Sequence, residues 1–304
     1  SIENGGVEKN LFLICNFLAK KTKKISLITI SKNFKKKFVK SVKLITLSQK
    51  IWTKFGRKLK YFLSLILLIK ELIKDKNSLV VSFQANLYCI LICKFFKVKI
   101  IVRSNTAPIG WSQNFFKKKI FKYVLNFADK IIVNSIEFKK DFEREFKIKP
   151  ICIYNPLNQN EILQKSLIKK KKIFKNKSLK IINVGRLTDQ KDQLTLLKAL
   201  NELKNKLNFS AVIMGNGALK KQLNHYLNCE GLNKFVKIIN YKKNPYPYIK
   251  QSNLFILSSI YEGLPNVLLE ALTLNKFIIS SNCKTGPNEI LLNGKGGDLF
   301  KVGD

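Results

Sequence analysis

Two series of short apolar runs, each alternating with amphipathic stretches, predict an α/β protein of two doubly wound lobes with parallel sheets. β-Branched residues fill the runs, as in strands buried on both faces, and the stretches between them have helical periodicity. The first series of strands is Ile25–Ile30, Leu79–Phe83, Lys99–Val102, Lys130–Val133 and Pro150–Tyr154. The second is Lys180–Val184, Ser210–Met214, Val236–Asn240, Leu254–Leu257 and Phe277–Ser280.

Helices are predicted between the strands, and they form two series that correspond to the two series of strands. In the first series they are Val7–Lys20, Gln49–Lys74, Leu87–Phe96, Asn114–Phe127 and Glu137–Phe146. In the second they are Lys191–Lys206, Ala218–Glu230, Asn244–Gln251 and Asn266–Thr273. Pro156 ends the first series because proline cannot continue a central strand. We therefore predict lobes at 1–156 and 179–304, joined by a lysine-rich linker at 157–178.

Composition excludes several classes of protein. The chain has 304 residues, of which 46% are hydrophobic, and this is a globular composition. The best candidate for a membrane span, Tyr61–Ile69, stops at Lys70, short of the roughly 20 residues that span a bilayer. The first residues lack the order of a signal peptide, which leads us to expect a cytoplasmic protein.

The cysteines and the single histidine give no metal site. The six cysteines form no Cys-x-x-Cys pair, and Cys89 and Cys93, one helical turn apart among apolar residues, are predicted to be buried thiols. His225 lies on a polar amphipathic helix and is predicted to be at the surface. We expect no bound metal and no Ser-His-Asp chemistry.

Charge is the unusual feature of the composition. There are 57 Lys and Arg residues against 19 Asp and Glu, a formal net charge of +38. Residues 1–150 hold 33 of the basic and 9 of the acidic residues. This excess favours anionic partners such as phosphates, acidic lipids or nucleic acid. A biased genomic base composition, which also enriches Asn, Ile and Phe, is an alternative explanation.

The segment Glu262–Ala271 carries the clearest chemical signal. It follows a predicted strand and opens a helix, with Pro265 suited to the first turn. Amides at the positive end of such a helix bind anions, and Gly263 allows close approach. The amides in question belong to Gly263, Leu264, Asn266 and Val267. The carboxylate of Glu270 is suited to accept hydrogen bonds from the paired hydroxyls of a ribose, while Glu262 stays in the loop near a sugar.

Glu262 and Glu270, separated by seven residues, match the EX7E motif, and Ser258–Ala271 resembles family four (group 1) of the retaining glycosyltransferases with the GT-B fold. The resemblance implies two Rossmann-like lobes facing a cleft and a nucleotide-sugar donor. Asn183–Asp192 is similar to the family's GRLxxxK segment. The resemblance implies that Arg186 and Lys191 neutralise the leaving nucleoside diphosphate, so that no metal cofactor is needed, and no DxD motif is present.

Three weaker motifs agree with this resemblance. Met214–Gly217 is similar to the family's glycine loop, where Gly215 and Gly217 would allow a ligand close to the backbone. Thr285–Leu291 resembles its (S/T)GPxEIL loop, and Asn244–Ile249 resembles a subgroup that builds lipid-linked oligosaccharides or O-antigen. That subgroup often uses UDP-N-acetylhexosamines.

The first lobe shows a thinner likeness. Gly5 and Gly6 match the glycine-rich turn after the family's first strand, beside donor and acceptor, but no strand precedes them. The sequence also stops before the family's final helices, so we expect a fragment truncated at both ends. Arg103 stands where many relatives have a histidine, and we expect it to hydrogen-bond the donor sugar or attract an acceptor phosphate. As an arginine it cannot serve as a base.

Aromatic residues beside lysines predict contact with an anionic membrane surface. One group is Trp111, Phe115, Phe116 and Lys117–Lys119; the other is Trp52, Phe55 and Tyr61 interleaved with Lys54, Arg57, Lys58 and Lys60. An ordinary aromatic stripe facing the core, with a solvated basic side, is the alternative.

The sequence thus predicts transfer of a hexosyl or N-acetylhexosaminyl group from a nucleotide sugar, UDP-linked by resemblance, to a polyprenyl-linked or cell-surface glycan at the inner face of the membrane. A non-catalytic relative that binds nucleotide sugar remains an alternative. An epimerase would need more histidine and carboxylate residues. A nucleic-acid-binding protein is suggested by charge alone, without a recognised motif, and we expect no nucleic acid partner.

Overall fold

The computed structural model describes residues 6–22, 24–30, 35–47, 56–105, 114–175 and 177–304. The chain divides into two compact units, Ser1–Pro156 and Leu157–Asp304. Of the residues predicted above to contact a ligand or a membrane, Gly5, Trp52, Lys54, Phe55 and Trp111 lie outside the described residues.

The first unit is an α/β unit whose described strands pair in parallel. Its helices are α1 Gly6–Leu18, α2 Arg57–Lys74, α3 Asn86–Phe96, α4 Phe115–Leu125 and α5 Ile136–Phe146. Its strands are β1 Ile25–Ile28, β2 Val42–Ile45, β3 Val80–Ser82, β4 Ile100–Arg103, β5 Lys130–Val133 and β6 Ile151–Cys152. β3, β4, β5 and β6 form one sheet in chain order, and β1 pairs with β2.

The core of the first unit lies between the four-stranded sheet and its helices. Phe138, Phe142 and Phe146 recur every fourth residue on α5 and are almost fully buried, with neighbouring ring centroids 5.9 and 5.0 Å apart. Ser135 caps this helix by accepting a hydrogen bond from the amide of Phe138 at 3.1 Å. Cys89 and Cys93 of α3 belong to the same core as free thiols, which confirms their predicted burial.

The second unit is a doubly wound parallel sheet of six strands. Its strands are β7 Leu179–Val184, β8 Phe209–Met214, β9 Val236–Ile239, β10 Leu254–Leu257, β11 Phe277–Ser281 and β12 Asp298–Phe300, in the order β12-β11-β10-β7-β8-β9. Its helices are α6 Gln159–Ser166, α7 Gln193–Leu203, α8 Lys220–Cys229, α9 Tyr246–Gln251, α10 Asn266–Thr273 and α11 Pro287–Ile290. Alternate residues of the strands enter two separate cores: Ile181 lies in one, and Ile182 and Val184 lie in the other.

The predicted linker at 157–178 was wrong. This segment contains α6, and Ile162 and Phe174 are buried in the core of the second unit against α9 and α10. Its lysines suggested a solvated connection, but the apolar residues between them pack inward. The strands β2 and β12 and the short helix α11 were not predicted, and several other elements are shorter than predicted: α2 begins at Arg57 and β6 is Ile151–Cys152.

Two expectations about the surface can be compared with the structure. His225 is exposed on α8, as predicted, with its Nε2 atom 3.5 Å from Sγ of Cys229. Among the described helices, none combines the length and the apolar character that crossing a membrane requires.

Candidate functional site

The four predicted motifs of the second unit lie at one edge of its sheet. They follow β7, β8, β10 and β11, which are neighbours or next neighbours in the sheet and all run in the same direction. Carboxyl ends of parallel strands meet at a single edge, where ligands of open α/β sheets bind. The fold therefore collects the loops 185–192, 215–219, 258–265 and 282–286 into one candidate site.

A buried ion pair is the chemical centre of this edge. The ammonium group of Lys191 donates to Oε1 of Glu262, and the two side chains are only 13% and 8% exposed. The hydroxyl of Ser259, a fully buried residue, donates to the same carboxylate oxygen at 2.6 Å. A carboxylate withdrawn from water needs such partners, because an isolated buried charge is strongly unfavourable.

The loop that carries Glu262 is fastened to two other loops. The side chain of Gln190 donates from Nε2 to the backbone carbonyl of Tyr261 at 2.9 Å. The backbone carbonyl of Gln190 accepts from the amide of Ile260 at 2.9 Å. The hydroxyl of Thr285 donates to the carbonyl of Glu262. The loops after β7 and β11 thus hold the pair-bearing loop from both sides.

Arg186 and Lys191 differ in environment although they share a loop. Arg186 is exposed, and its guanidinium donates to Oε1 of Gln190 at 3.2 Å. Its carbonyl accepts from Nε2 of Gln193, a fully buried side chain, at 2.9 Å. Lys191 is withdrawn into the pair with Glu262, whereas Arg186 faces solvent. Gln190 connects them, since it bonds both the guanidinium and the backbone beside Glu262.

Glu270 is 2% exposed on α10, and the hydroxyl of Tyr246 lies 3.4 Å from its Oε1 atom. The structure thus places a hydroxyl against the carboxylate that was predicted to accept ribose hydroxyls. Leu264 is buried, and Val267 packs against the core, so these two side chains serve packing. The helix begins at Asn266, directly after Pro265, which has extended backbone angles and is outside the helical turn predicted for it.

Gly215 and Gly217 lie where two loops of the second unit cross. A Cβ atom at Gly215 would lie 1.8 Å from the carbonyl oxygen of Gly185, and one at Gly217 would lie 2.0 Å from that of Leu187. The glycines are required because two loops cross here, joined by bonds such as the amide of Leu187 to the carbonyl of Asn216 at 3.0 Å. Close approach of one loop to another is thus sufficient to require glycine at both positions, and contact of these glycines with a ligand stays a prediction.

Gly286 serves the same purpose beside Glu262. It adopts a φ of +92°, and a Cβ atom there would lie 2.4 Å from the carbonyl oxygen of Gly263. Only glycine suits both the backbone angle and the contact. The loops after β10 and β11 therefore touch through two glycines.

Cys283 lies next to the pair without being a nucleophile. It is 1% exposed, and burial, with a smaller contribution from Glu262, raises the pKa of its thiol to about 12. The thiol therefore stays protonated near neutral pH. Within the described part of the chain, no three His, Cys, Asp or Glu side chains are grouped so as to hold a metal ion.

Two predicted site residues of the first unit, Gly6 and Arg103, lie within described elements. Gly6 is the first residue of α1. Arg103 is 2% exposed and donates from Nη2 to the carbonyl of Ile153 at 3.1 Å and to Oδ1 of Asn155 at 3.0 Å. Burial lowers the pKa of its guanidinium. Arg103 thus connects β4 to the segment after β6. Its contact with a donor or acceptor stays a prediction, and its burial argues against that contact.

Sequence reasoning missed several side chains that build the site. Ser259, Gln190, Gln193 and Tyr246 all bond a predicted site residue or its backbone, Gln190 through the guanidinium of Arg186. Ser259 and Gln190 stand inside segments already quoted, but single polar residues next to a motif have no spacing signature of their own. Only their hydrogen bonds distinguish them.

The second unit matches a known protein family. Residues 164–304 match the family model of glycosyl transferases group 1. All the motifs of the second unit lie within this range, so the family match covers the candidate site.

Two relatives with known names are similar over most of the chain. An uncharacterized glycosyltransferase of Methanocaldococcus jannaschii is 38% identical over 221 residues, which cover 66% of this chain and 53% of the relative. An N-acetylgalactosaminyltransferase of Campylobacter jejuni, named for a diphospho-undecaprenol-linked substrate, is 29% identical over 225 residues, covering 71% and 60%. The chain thus spans between half and two thirds of the length of these curated relatives.

Solved structures show the fold. HepE of Anabaena, in complex with UDP and glucose, superposes with a TM-score of 0.77 at 16% identity, covering 100% of this chain and 84% of HepE. Together with the two parallel-sheet units described above, this likeness shows that the chain has the GT-B fold, as the sequence predicted.

Proposed function

We propose that the protein transfers a hexosyl or N-acetylhexosaminyl group from a nucleoside-diphosphate sugar, UDP-linked, to a lipid-linked or cell-surface glycan, with retention at the anomeric carbon. The observation that carries the proposal is the buried pair of Lys191 and Glu262, bonded by Ser259, at the edge where the four motif loops meet. The group 1 match over this unit supports it, as does the UDP bound to HepE.

In this proposal Lys191 and Arg186 bind the diphosphate. An ammonium group has three donors, so Lys191 can keep Glu262 and still donate to a phosphate oxygen. Arg186 is already exposed, and its planar fork of donors suits a second phosphate oxygen. As the bond to the sugar breaks, both cations stabilise the charge that develops on the leaving diphosphate.

The two carboxylates position the rest of the donor. Glu262, held in one orientation by Lys191 and Ser259, accepts hydrogen bonds from sugar hydroxyls. Glu270 accepts from the ribose, whose hydroxyls offer the chemistry that Tyr246 supplies in the present structure. The amides of Gly263, Leu264, Asn266 and Val267 are proposed to face the phosphate.

The reaction balances without a further reagent. The acceptor oxygen forms a bond to the anomeric carbon on the face from which the diphosphate departs, and the carbon–oxygen bond to the diphosphate breaks. The acceptor proton passes to the leaving phosphate oxygen. Because two cations neutralise that group, we propose that transfer needs no metal ion and takes place at the cytoplasmic face of the membrane.

The test is a transfer assay on the full-length protein with UDP-, GDP- and ADP-sugars and a polyprenyl-diphosphate-sugar acceptor, read by mass spectrometry. We expect product from one donor, unaffected by EDTA, with the anomeric configuration of the donor by NMR. Glu262→Gln should lower the rate of product formation on the order of 10²- to 10³-fold. Glu161→Gln should not, because Glu161 pairs with Lys165 at the exposed surface of the same unit.

Two outcomes would contradict the proposal. Binding of a nucleotide sugar without turnover over a broad set of acceptors would identify a non-catalytic relative. Equal loss of product in both glutamate variants would show that the pair of Lys191 and Glu262 has no special part in the reaction.

A further inference from the structure

The outer face of α3 carries a row of exposed apolar side chains. Tyr88, Leu91 and Phe95 are spaced by three and four residues, so they lie along one side of the helix. They are 61%, 47% and 81% exposed. Cys89, Ile90 and Cys93 on the opposite side are buried in the core. The helix therefore meets its packing requirement without this outer row.

The neighbouring helix α4 carries a second row. Phe116, Ile120 and Tyr123 are 74%, 59% and 66% exposed, at a spacing of four and three residues. Val124 and Leu125 of the same helix are buried in the core. Again the outer row is additional to what the core requires.

The two rows form one surface, which we call the α3–α4 face. The two helices pack against each other. The ring of Tyr123 contacts that of Phe127 with centroids 4.9 Å apart, and the ammonium of Lys94 on α3 lies 5.1 Å from the same ring. Phe127 thus lies between Tyr123 of α4 and Lys94 of α3. Six exposed apolar residues on adjacent helices exceed the scattered apolar exposure normal for a protein surface.

The charged side chains on the two helices of this face have one sign. Neither helix contains an acidic residue, whereas Lys94 lies on α3 and Lys117, Lys119 and Lys122 lie on α4. Lys118 is left out of this set because it pairs with Glu145 of α5 at 3.0 Å. Lys117 lies in the first turn of α4, where the helix dipole disfavours cations, whereas Lys122 lies in its last turn. A local preference that is overridden in this way is expected where function requires it.

We propose that the α3–α4 face docks on the surface of an anionic bilayer. The aromatic and aliphatic side chains would enter the boundary of headgroups and acyl chains, and the lysines around them would face lipid phosphates. A second copy of the chain is disfavoured as the occupant because both copies carry the same excess of positive charge. Nucleic acid fits less well, because Leu91 and Ile120 neither stack on bases nor bond to phosphates.

This surface extends beyond the stretches that aromatic and basic residues predicted. Phe115 and Phe116 belonged to that prediction, and Lys119 lies 4.7 Å from the ring centroid of Phe115. Tyr61 of the other stretch is half-buried. The row on α3 was not part of it, because Leu87–Phe96 has the composition of a buried helix.

The test is flotation of the full-length protein with vesicles of phosphatidylcholine alone or with about 30% of the anionic lipid phosphatidylglycerol. We expect binding to the anionic vesicles, weakened by salt. The double variant Phe95→Ser/Phe116→Ser should lower partitioning at least about tenfold. Both residues are exposed, so folding is expected to be retained. The matched control is Phe277→Ser, which replaces a phenylalanine of the second unit that is 57% exposed, and this variant should float like the wild type.

The contribution of charge is tested in the same assay. Lys94→Gln/Lys119→Gln should weaken binding to anionic vesicles more than Lys198→Gln/Lys221→Gln, which removes two exposed lysines from helices of the second unit. Equal flotation of all variants, or none by the wild type, overturns the proposal. So does duplex DNA binding that the same substitutions abolish, without vesicle binding. Flotation requires no turnover, so it can fail while transfer succeeds, and the reverse.

Discussion

The two units of this molecule have the same architecture but use their polar and apolar residues in different ways. In the second unit, polar side chains are drawn into the sheet edge, where Lys191, Glu262 and Ser259 bond one another out of solvent. In the first unit, apolar side chains such as Phe95 and Phe116 point outward, amid an excess of 33 basic over 9 acidic residues.

This difference indicates that the second unit carries the chemical site and that the first unit carries a surface for a partner. A buried ion pair costs desolvation and stabilises a fold weakly, so its presence beside loop glycines favours a chemical role. An exposed aromatic row contributes nothing to the core of an isolated unit, so it favours a partner. The parallel sheet is shared, and the side chains at its edge and on its helices are what differ.

The largest effect is expected from the ion pair. Lys191→Met and Glu262→Gln should each lower kcat/KM for transfer on the order of 10²- to 10³-fold, and the double variant should lose little more, because the two residues act as a unit. The control is Lys165→Met, which breaks the exposed pair with Glu161 and should retain activity. Losses that multiply in the double variant would show that the two residues act independently.

A glycine of the crossing loops gives the next effect. Gly215→Ala should lower the free energy of unfolding by about 1–3 kcal/mol, because its Cβ atom meets the carbonyl oxygen of Gly185 and the loop must move. Gly56→Ala in the first unit is the control. No atom lies within 4 Å of a Cβ atom there, and its φ of −63° suits alanine. Urea titration compares them. Unchanged stability of Gly215→Ala would contradict the described crossing.

Ser259 is expected to position Glu262 without touching the donor. Ser259→Ala should therefore lower kcat about tenfold, equivalent to about 1.4 kcal/mol, with KM for the donor nearly unchanged. Ser252→Ala removes an equally buried hydroxyl, which donates to the carbonyl of Ile249 at 2.8 Å, and should leave both constants unchanged. A similar fall in both variants would assign Ser259 a purely structural role.

The smallest effect is expected in thiol labelling, which compares the solvent accessibility of buried cysteines in the two units. Burial raises the pKa of Cys15 to about 11 and of Cys93 and Cys283 to about 12. At pH 8 these three buried thiols stay almost entirely protonated, and a protonated thiol does not react with iodoacetamide. We therefore expect iodoacetamide to modify exposed Cys229 in the folded protein, and to modify the three buried cysteines only after urea is added. Intact-mass spectrometry counts the adducts. Rapid native labelling of Cys283 would show that the edge of the second unit is open to water.

How far the sequence predicts this molecule depends on whether a feature has a period or a spacing. Strands such as Lys130–Val133 and Leu254–Leu257 were predicted to the residue, because apolar runs on buried parallel strands are unmistakable. β2 was not, since Val42–Ile45 is short and interrupted by Lys43. α6 was taken for a linker because the lysine-rich stretch that follows it, Lys169–Lys172, outweighed the few apolar residues that anchor the helix.

The candidate site shows the same limit. Glu262 and Lys191 were named from motifs, but their contact joins residues 71 apart along the chain, which no local pattern reveals. The glycines 215 and 217 were assigned to a ligand because a Gly-x-Gly turn looks the same whether a ligand or a second loop approaches it. Arg103 was placed correctly at a strand end, but its burial depends on Ile153 and Asn155, far along the chain.

The most direct test of the central claim, that the edge of the second unit binds the donor, is amide hydrogen exchange with and without a saturating UDP-sugar. We predict slower exchange in the loops 185–192, 258–265 and 282–286, and no such change in Lys191→Met. Protection confined to the first unit, or protection of the second unit that survives this substitution unaltered, would contradict the account.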